Sequence, residues 1–170
     1  MNEAYNNIMS RVSCKAYTDQ VVDQETLEKI VEAGRMAPSG RNRQPLAFVI
    51  VKDRVLLNEL SCLNAKILET TSDPFYGAPC CIVVLAKKDV STYKFDGALA
   101  MENLMLAANA LGVSSCWIHR AKEVFETEEG KALLKKWDLE GYEGIGHCIL
   151  GYSKQKLVQN KPRTSIVLWE

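Results

Sequence analysis

The chain has 170 residues, 47% apolar and 25% charged, which fits one globular domain with a sizeable core. Lys plus Arg equals Asp plus Glu at 21 each, so bulk electrostatic binding to nucleic acid or an anionic membrane is not expected, and any anion site must be local. No apolar run is long enough to span a bilayer, and the opening "MNEAYNNIMSR" lacks the basic-then-apolar order of a signal peptide, so a cytoplasmic location is expected.

Along the chain, Asp23 is placed to cap a helix running to about Met36, with Leu27, Ile30, Val31 and Gly34 on one face and Pro38 as its stop. "PSGRNRQP" follows, a loop with more hydrogen-bonding side chains than a turn needs. "PLAFVIVK" reads as a buried strand. Asp53 can cap a second helix that turns Leu56, Leu57, Leu60 and Leu63 inward. "TTSDPFYGAP" is loop, and "CCIVVLAKK" is the next strand. Asp96 is then expected to cap "GALAMENLMLAANALG", a helix that is apolar on nearly every side and ends at Gly112. Such a helix is buried in a core or in an interface, and in so small a domain an interface is expected. "VSSCWI" is a third strand, "EEGKALLKKW" an exposed helix and "GIGHCILGY" a fourth strand. The tail is polar at first and then β-rich in "SIVLW"; a terminal strand of that kind suits pairing with another subunit. Helices alternating with short strands predict an α/β or α+β fold with the sheet sandwiched by helices, in one domain spanning residues 1–170.

The six cysteines (14, 62, 80, 81, 116 and 148) form no CxxC pair and no zinc-ligand spacing, so reduced, structural thiols are expected. Cys80 and Cys81 are adjacent in a strand and should face opposite sides of the sheet, which disfavours a disulfide between them. Dinucleotide, P-loop, nucleophile-elbow and zinc-protease motifs are all absent. Of the two histidines, His147 lies in an apolar strand and is expected to be a satisfied core residue.

Three polar clusters remain. In "SRVSCK", alternation along an extended segment puts Arg11, Ser13 and Lys15 on one side, which suits a phosphate or other anion, although a solvated basic edge would look the same. In "PSGRNRQP", Arg and amide side chains can read the edge of a planar heterocycle, or simply end a helix. "NKPRT" offers Lys161 and Arg163 just before the last strand, or a solvated linker. None of the three decides the function alone.

In combination and in this order, "RVSCK", "APSGRNRQP", "DGALAMENLMLAANALG", "SCWI" and "LGY…KPR" resemble the FMN-dependent nitroreductase family over residues 8–169, as a short member without extra domains. The resemblance implies an α+β fold with a mostly antiparallel central sheet flanked by helices. It also implies a homodimer that exchanges its C-terminal strands and holds two FMN sites at the interface. By the same resemblance, Arg11 and Arg163 hold the FMN phosphate with Lys161 nearby, Ser13 donates to phosphate or ribityl oxygen, and Lys15 lies by the N1–C2=O2 edge of the ring. Pro38, Ser39, Gly40 and Asn42 reach the partner's FMN. Trp117, Ile118 and His119 lie beside the ring, with a main-chain N–H near flavin N5. Val12 stands where Arg or His is common, His119 where glycine is common, and Leu46 where an aromatic is common. The implied activity is ping-pong hydride transfer from NAD(P)H through FMN to a nitroaromatic, quinone or similar small acceptor, with no side-chain nucleophile and no metal. Two alternatives stand beside it: a flavin-binding protein without turnover, and dehalogenating or flavin-fragmenting chemistry on the same scaffold.

Overall fold

The computed structural model describes residues 2–159 and 161–170. Four strands, β1 (Leu46–Val51), β2 (Cys80–Lys87), β3 (Ser114–Ile118) and β4 (Tyr142–Gly151), form one antiparallel sheet in the order β1-β2-β4-β3. Six α-helices accompany it: α1 (Glu3–Ser10), α2 (Gln24–Arg35), α3 (Arg54–Ile67), α4 (Tyr93–Ala110), α5 (Ala121–Glu126) and α6 (Glu128–Lys136).

The sheet is buried on both faces. Leu57, Leu60 and Leu63 of α3 join Val124, Phe125, Leu133 and Leu134 of α5 and α6 on one face. Leu27 and Ile30 of α2 join Met101, Leu104, Met105 and Ala108 of α4 on the other. Each fully buried aliphatic side chain contributes roughly 1.5–3 kcal/mol, so both layers are needed to hold the sheet. Strand β2 is buried at every position but its last, and its alternation puts Cys80 in the α2/α4 layer and Cys81 in the other. All six cysteines are free thiols. Gly34 lets α2 lie close on α4, since a Cβ there would meet Leu104 Cδ2 at 2.6 Å.

Local rules account for several boundaries. Asp23 and Asp53 cap α2 and α3, accepting hydrogen bonds at 2.8 Å from the N–H groups of Thr26 and Leu56. Asp96 does not cap α4 as expected. The helix starts four residues earlier, at Tyr93 with Thr92 at its N-cap position, and Asp96 lies in its first turn with the carboxylate turned to another segment. Helix α1, which the sequence pattern does not suggest, buries no residue. It is held by polar contacts instead: Asn7 Nδ2 donates to the Leu106 carbonyl (2.9 Å), and Asn109 Nδ2 donates to Asn7 Oδ1 (2.7 Å).

Beyond β4, Tyr17 bridges Ser153 and the Lys154 N–H donates to the Ala16 carbonyl at 3.0 Å. Residues 161–170 form no helix or strand within their own chain and are exposed throughout, with Ile166 at 88% and Trp169 at 94%. Helix α4 is also less enclosed than its composition suggests. Phe95 and Leu99 are exposed in its N-terminal half, and Leu111 is exposed at its C-terminal end.

His147 is a core residue but not a satisfied one. It is fully buried against Phe75 and Phe125, and neither ring nitrogen has a hydrogen-bond partner. Burial lowers its pKa to about 3, the nearby Ile118 main chain offsetting this only in part, while Arg120 adds to the fall. The folded chain therefore holds His147 neutral while the unfolded chain protonates it. Stability contributed by this site is fully present above pH 6.5 and is lost as pH falls from 6.5 toward about 3. The slope for one proton is about 1.4 kcal/mol per pH unit. His147→Phe should flatten that part of the stability profile, measured by urea unfolding from pH 7 to pH 4; an unchanged slope would locate the acid sensitivity elsewhere.

Candidate functional site

The segment 11–15 runs along the outer edge of β3. Ser13 makes a parallel bridge to Ser115, and the Cys14 N–H donates to the Ser115 carbonyl at 2.9 Å. Alternation does the rest. Cys14 is buried in the core, while Ser13 and Lys15 face outward with Arg11 half-buried behind them and Val12 partly covered. These three polar side chains act electrostatically on the Cys116 thiol. Burial raises its pKa, and the Ser13 hydroxyl and the Lys15 and Arg11 cations offset part of that rise.

Arg11 is held at one edge of its guanidinium. Its Nε lies 3.4 Å from Glu102 Oε1 of α4, while its Nη1 is buried with no hydrogen-bond partner among the described residues. A buried guanidinium donor without an acceptor is costly, and a bound anion would remove that cost. Helix α1 delivers Arg11 to this place: Arg11 is its C-cap residue, and the Asn7–Asn109 bonds fix the helix on α4.

Strand β3 ends beside this edge. Ile118 is buried in the α3/α5/α6 layer, while Trp117 and His119 point the other way. Trp117 packs over Gly146, where a Cβ would meet its Nε1 at 2.1 Å, and this indole N–H is a second buried donor with no partner. The exposed His119 ring stands edge-on to Trp117 at 5.8 Å.

The loop 38–44 is folded tightly on itself. Residues Gly40–Asn42 form a 3-10 turn in which the Asn42 N–H donates to the Ser39 carbonyl (2.9 Å). The Gln44 N–H donates to Ser39 Oγ (2.9 Å), and Gln44 Nε2 to Asn42 Oδ1 (3.0 Å). Arg41, Asn42 and Gln44 all have left-handed backbones, with φ of 54°, 54° and 49°. Non-glycine residues adopt that conformation at a cost, so the surroundings must impose it. Ser39 and Asn42 line an open groove of about 620 Å3, together with Arg35, Met36 and Phe48.

The single chain thus gathers Arg11, Ser13, Lys15 and the end of β3, but not the other clusters. Pro38, Ser39, Gly40 and Asn42 lie at the N-terminal end of α4, by Asp96, whereas Arg11 lies by Glu102, about 9 Å further along the helix axis. Lys161 and Arg163 are exposed and make no salt bridge among the described residues; Asn160, the first residue of their motif, lies outside those residues. Glu102 and Asn103 are site-organising residues that the sequence reading gave no role, and Asp96 is one that it read only as a helix cap. Asn103 Nδ2 donates to the Ala33 carbonyl in the last turn of α2 (3.0 Å), just before the loop. Their signal was visible as rare polar positions on an otherwise apolar helix.

The architecture is the nitroreductase fold. A nitroreductase from Bacteroides fragilis, solved with bound FMN, superposes with a TM-score of 0.90 at 28% identity, covering 100% of both chains. A second FMN-bound nitroreductase, from Desulfitobacterium hafniense, gives 0.86 at 26% identity over 99% of this chain and 100% of that one. The nitroreductase family profile matches residues 8–152. A relative from Archaeoglobus fulgidus, named as a candidate NADH dehydrogenase/NAD(P)H nitroreductase, is 35% identical over 123 residues, 69% of this chain and 68% of that protein. The Bacillus subtilis FMN reductase [NAD(P)H] is 27% identical over 67% of this chain, but the match spans 47% of its own length. The chain belongs to the nitroreductase family. Among the described residues no helix is long and apolar enough to cross a membrane, and no His, Cys, Asp and Glu cluster could hold a metal.

Proposed function

We propose that the protein is a single-domain, FMN-dependent NAD(P)H oxidoreductase that works as a homodimer on a small oxidised acceptor such as a nitroaromatic or a quinone. The observation that carries this reading is the buried, unpartnered Nη1 of Arg11, in line with Ser13 and Lys15 on the edge of β3. A flavin monophosphate supplies the missing acceptor, because its terminal phosphate carries roughly −1.5 to −2 charges at pH 7. The FMN-bound relatives support the choice of ligand.

Bound there, FMN would supply the redox chemistry, hydride transfer between NAD(P)H and the acceptor. The chain's own residues hold and tune. Arg11 and Ser13 grip the phosphate end, with Lys161 and Arg163 of the tail closing on it. Val12 contributes main chain to the cradle but no polar side chain. Lys15 sits by the ring edge that gains negative charge on reduction and favours that state. Trp117, Ile118 and His119 border the ring, the imidazole narrowing the space above it. Pro38, Ser39, Gly40 and Asn42 complete the site of the second subunit.

Purified protein should bind one FMN per chain and prefer it to FAD, whose bridged phosphates offer no terminal dianion. Anaerobic NADH or NADPH should bleach the bound flavin, and acceptor should restore the colour. Failure to bind FMN, or a clear preference for FAD, would overturn the assignment. Tight FMN that neither nucleotide bleaches would leave a flavin-binding protein without turnover.

A further inference from the structure

We infer that Asp96 is a positioning residue for the loop 38–44, and that through this loop it sets the affinity of the flavin site; the second half rests on the function proposed above. Within residues 38–44, every hydrogen bond described above closes the loop on itself. The tie to the rest of the fold is the Gly40 N–H, which donates to Asp96 Oδ1 at 3.0 Å across 56 positions of sequence. Asp96 is 3% exposed, and its second oxygen accepts from the Thr92 hydroxyl at 2.8 Å. Each oxygen has its own donor, so the carboxylate cannot swing without breaking one of them.

Thr92 also acts as a wall. A Cβ at Gly40 would stand 2.4 Å from Thr92 Oγ1 and 2.9 Å from its Cγ2, so glycine alone fits against it. One bond and one steric stop therefore fix the start of a loop that goes on through three left-handed, non-glycine residues. Such a backbone survives only where the surroundings over-determine it. This answers why an 18-residue helix of apolar character carries a buried acid in its first turn. Its position also suits the helix dipole, which is the competing, purely structural account.

The two accounts separate by substitution. Asp96→Asn keeps both contacts, because the amide oxygen can still accept from Gly40 while the amide N–H2 donates to the Thr92 hydroxyl, which rotates to accept. It removes only the charge. Asp96→Ala removes both contacts. The measurements are amide hydrogen exchange at Gly40 in the flavin-free protein, and the FMN dissociation constant with the visible circular dichroism of the bound flavin. Asp96→Ala should lose Gly40 protection and weaken FMN by roughly ten- to a hundredfold, with an altered flavin spectrum. Asp96→Asn should stay within about threefold of wild type. A folded Asp96→Ala protein with wild-type Gly40 protection and affinity would overturn the positioning role while leaving the FMN reading intact. Asp96→Asn as damaged as Asp96→Ala would overturn it in favour of the charge–dipole account. Wild-type protein that binds no FMN would overturn the flavin reading, and the link from Asp96 to affinity with it. If Asp96→Ala does not fold, the wild-type flavin-free protein decides: a Gly40 amide that exchanges there at the unprotected rate would overturn the proposal.

Discussion

Arg11→Ala should purify largely colourless, with an FMN dissociation constant raised by one to two decades. The expectation follows from the guanidinium's two edges. Its Nε is committed to Glu102, and its Nη1 is buried without an acceptor. Charge-assisted hydrogen bonds contribute about 1.5–3 kcal/mol, which is one to two factors of ten in affinity. The fold should lose little, because the Arg11–Glu102 pair is long at 3.4 Å and Glu102 is 46% exposed, so the freed carboxylate can be solvated. A phosphate contact made equally to oxidised and reduced flavin changes binding and not the chemical barrier. Arg11→Ala saturated with FMN should therefore reduce its flavin at near wild-type rate. Lys15→Ala should behave in the opposite way, keeping much of its FMN while reduction slows, because in the proposed site its cation would stabilise charge that appears only on reduction. FMN titration and single-turnover reduction by NADH for both variants check the pair of outcomes. Normal FMN affinity in Arg11→Ala would remove it from the phosphate site.

Deleting residues 165–170 should convert a dimer to a monomer and weaken FMN binding in the same step. The tail carries Ile166, Val167, Leu168 and Trp169, all exposed and unpaired within their own chain. Strand β1 is an edge of the sheet, and Met36, Phe95 and Leu99 are exposed around α2 and α4. An open edge and a scattered apolar surface suit addition of a strand from a second copy. Covering one large aromatic removes roughly 150–250 Å2 from water, about 4–6 kcal/mol before the costs of association are subtracted. Sedimentation velocity and FMN titration of the truncated chain are the checks. A truncated chain that stays dimeric with full FMN affinity would show that the tail neither holds the dimer nor completes the site.

The elements that were legible in the sequence are those fixed by short-range physics. Asp23 and Asp53 cap helices because an aspartate oxygen reaches an N–H three residues ahead, whatever else the chain does. Strands β1 to β4 were legible as short apolar runs, and the two faces of Cys80 and Cys81 followed from a period of two. Asp96 misled because the same chemistry was satisfied by Gly40, 56 positions away, which no local rule can see. Helix α1 was missed although Tyr5, Ile8 and Met9 share one face, because it has only eight residues and that face stays exposed, and α5 because its buried residues Ala121, Val124 and Phe125 fit within six positions. In the site, the alignment of Arg11, Ser13 and Lys15 was readable from alternation, and their functional reading came from resemblance. The contacts that hold them, from Glu102 and the Asn7–Asn109 pair, are tertiary: Glu102 and Asn109 stood out as polar positions on an apolar helix, but not what they would hold.

Helix α4 makes a gauge of these contacts. Asp96 and Asn103 fix the loop side of the molecule, while Glu102 and Asn109 fix the segment that carries Arg11. The relative placement of the two polar clusters is thus measured out in helical turns. A single residue inserted between Asp96 and Glu102 would rotate Asp96 against Glu102, Asn103 and Asn109 by about 100° and shift it by about 1.5 Å, so no placement of the helix could keep all four contacts. Substitution at the exposed positions of α4 leaves this spacing intact, whereas a change of length does not, so insertions and deletions in this protein should fall outside the stretch from Asp96 to Asn109.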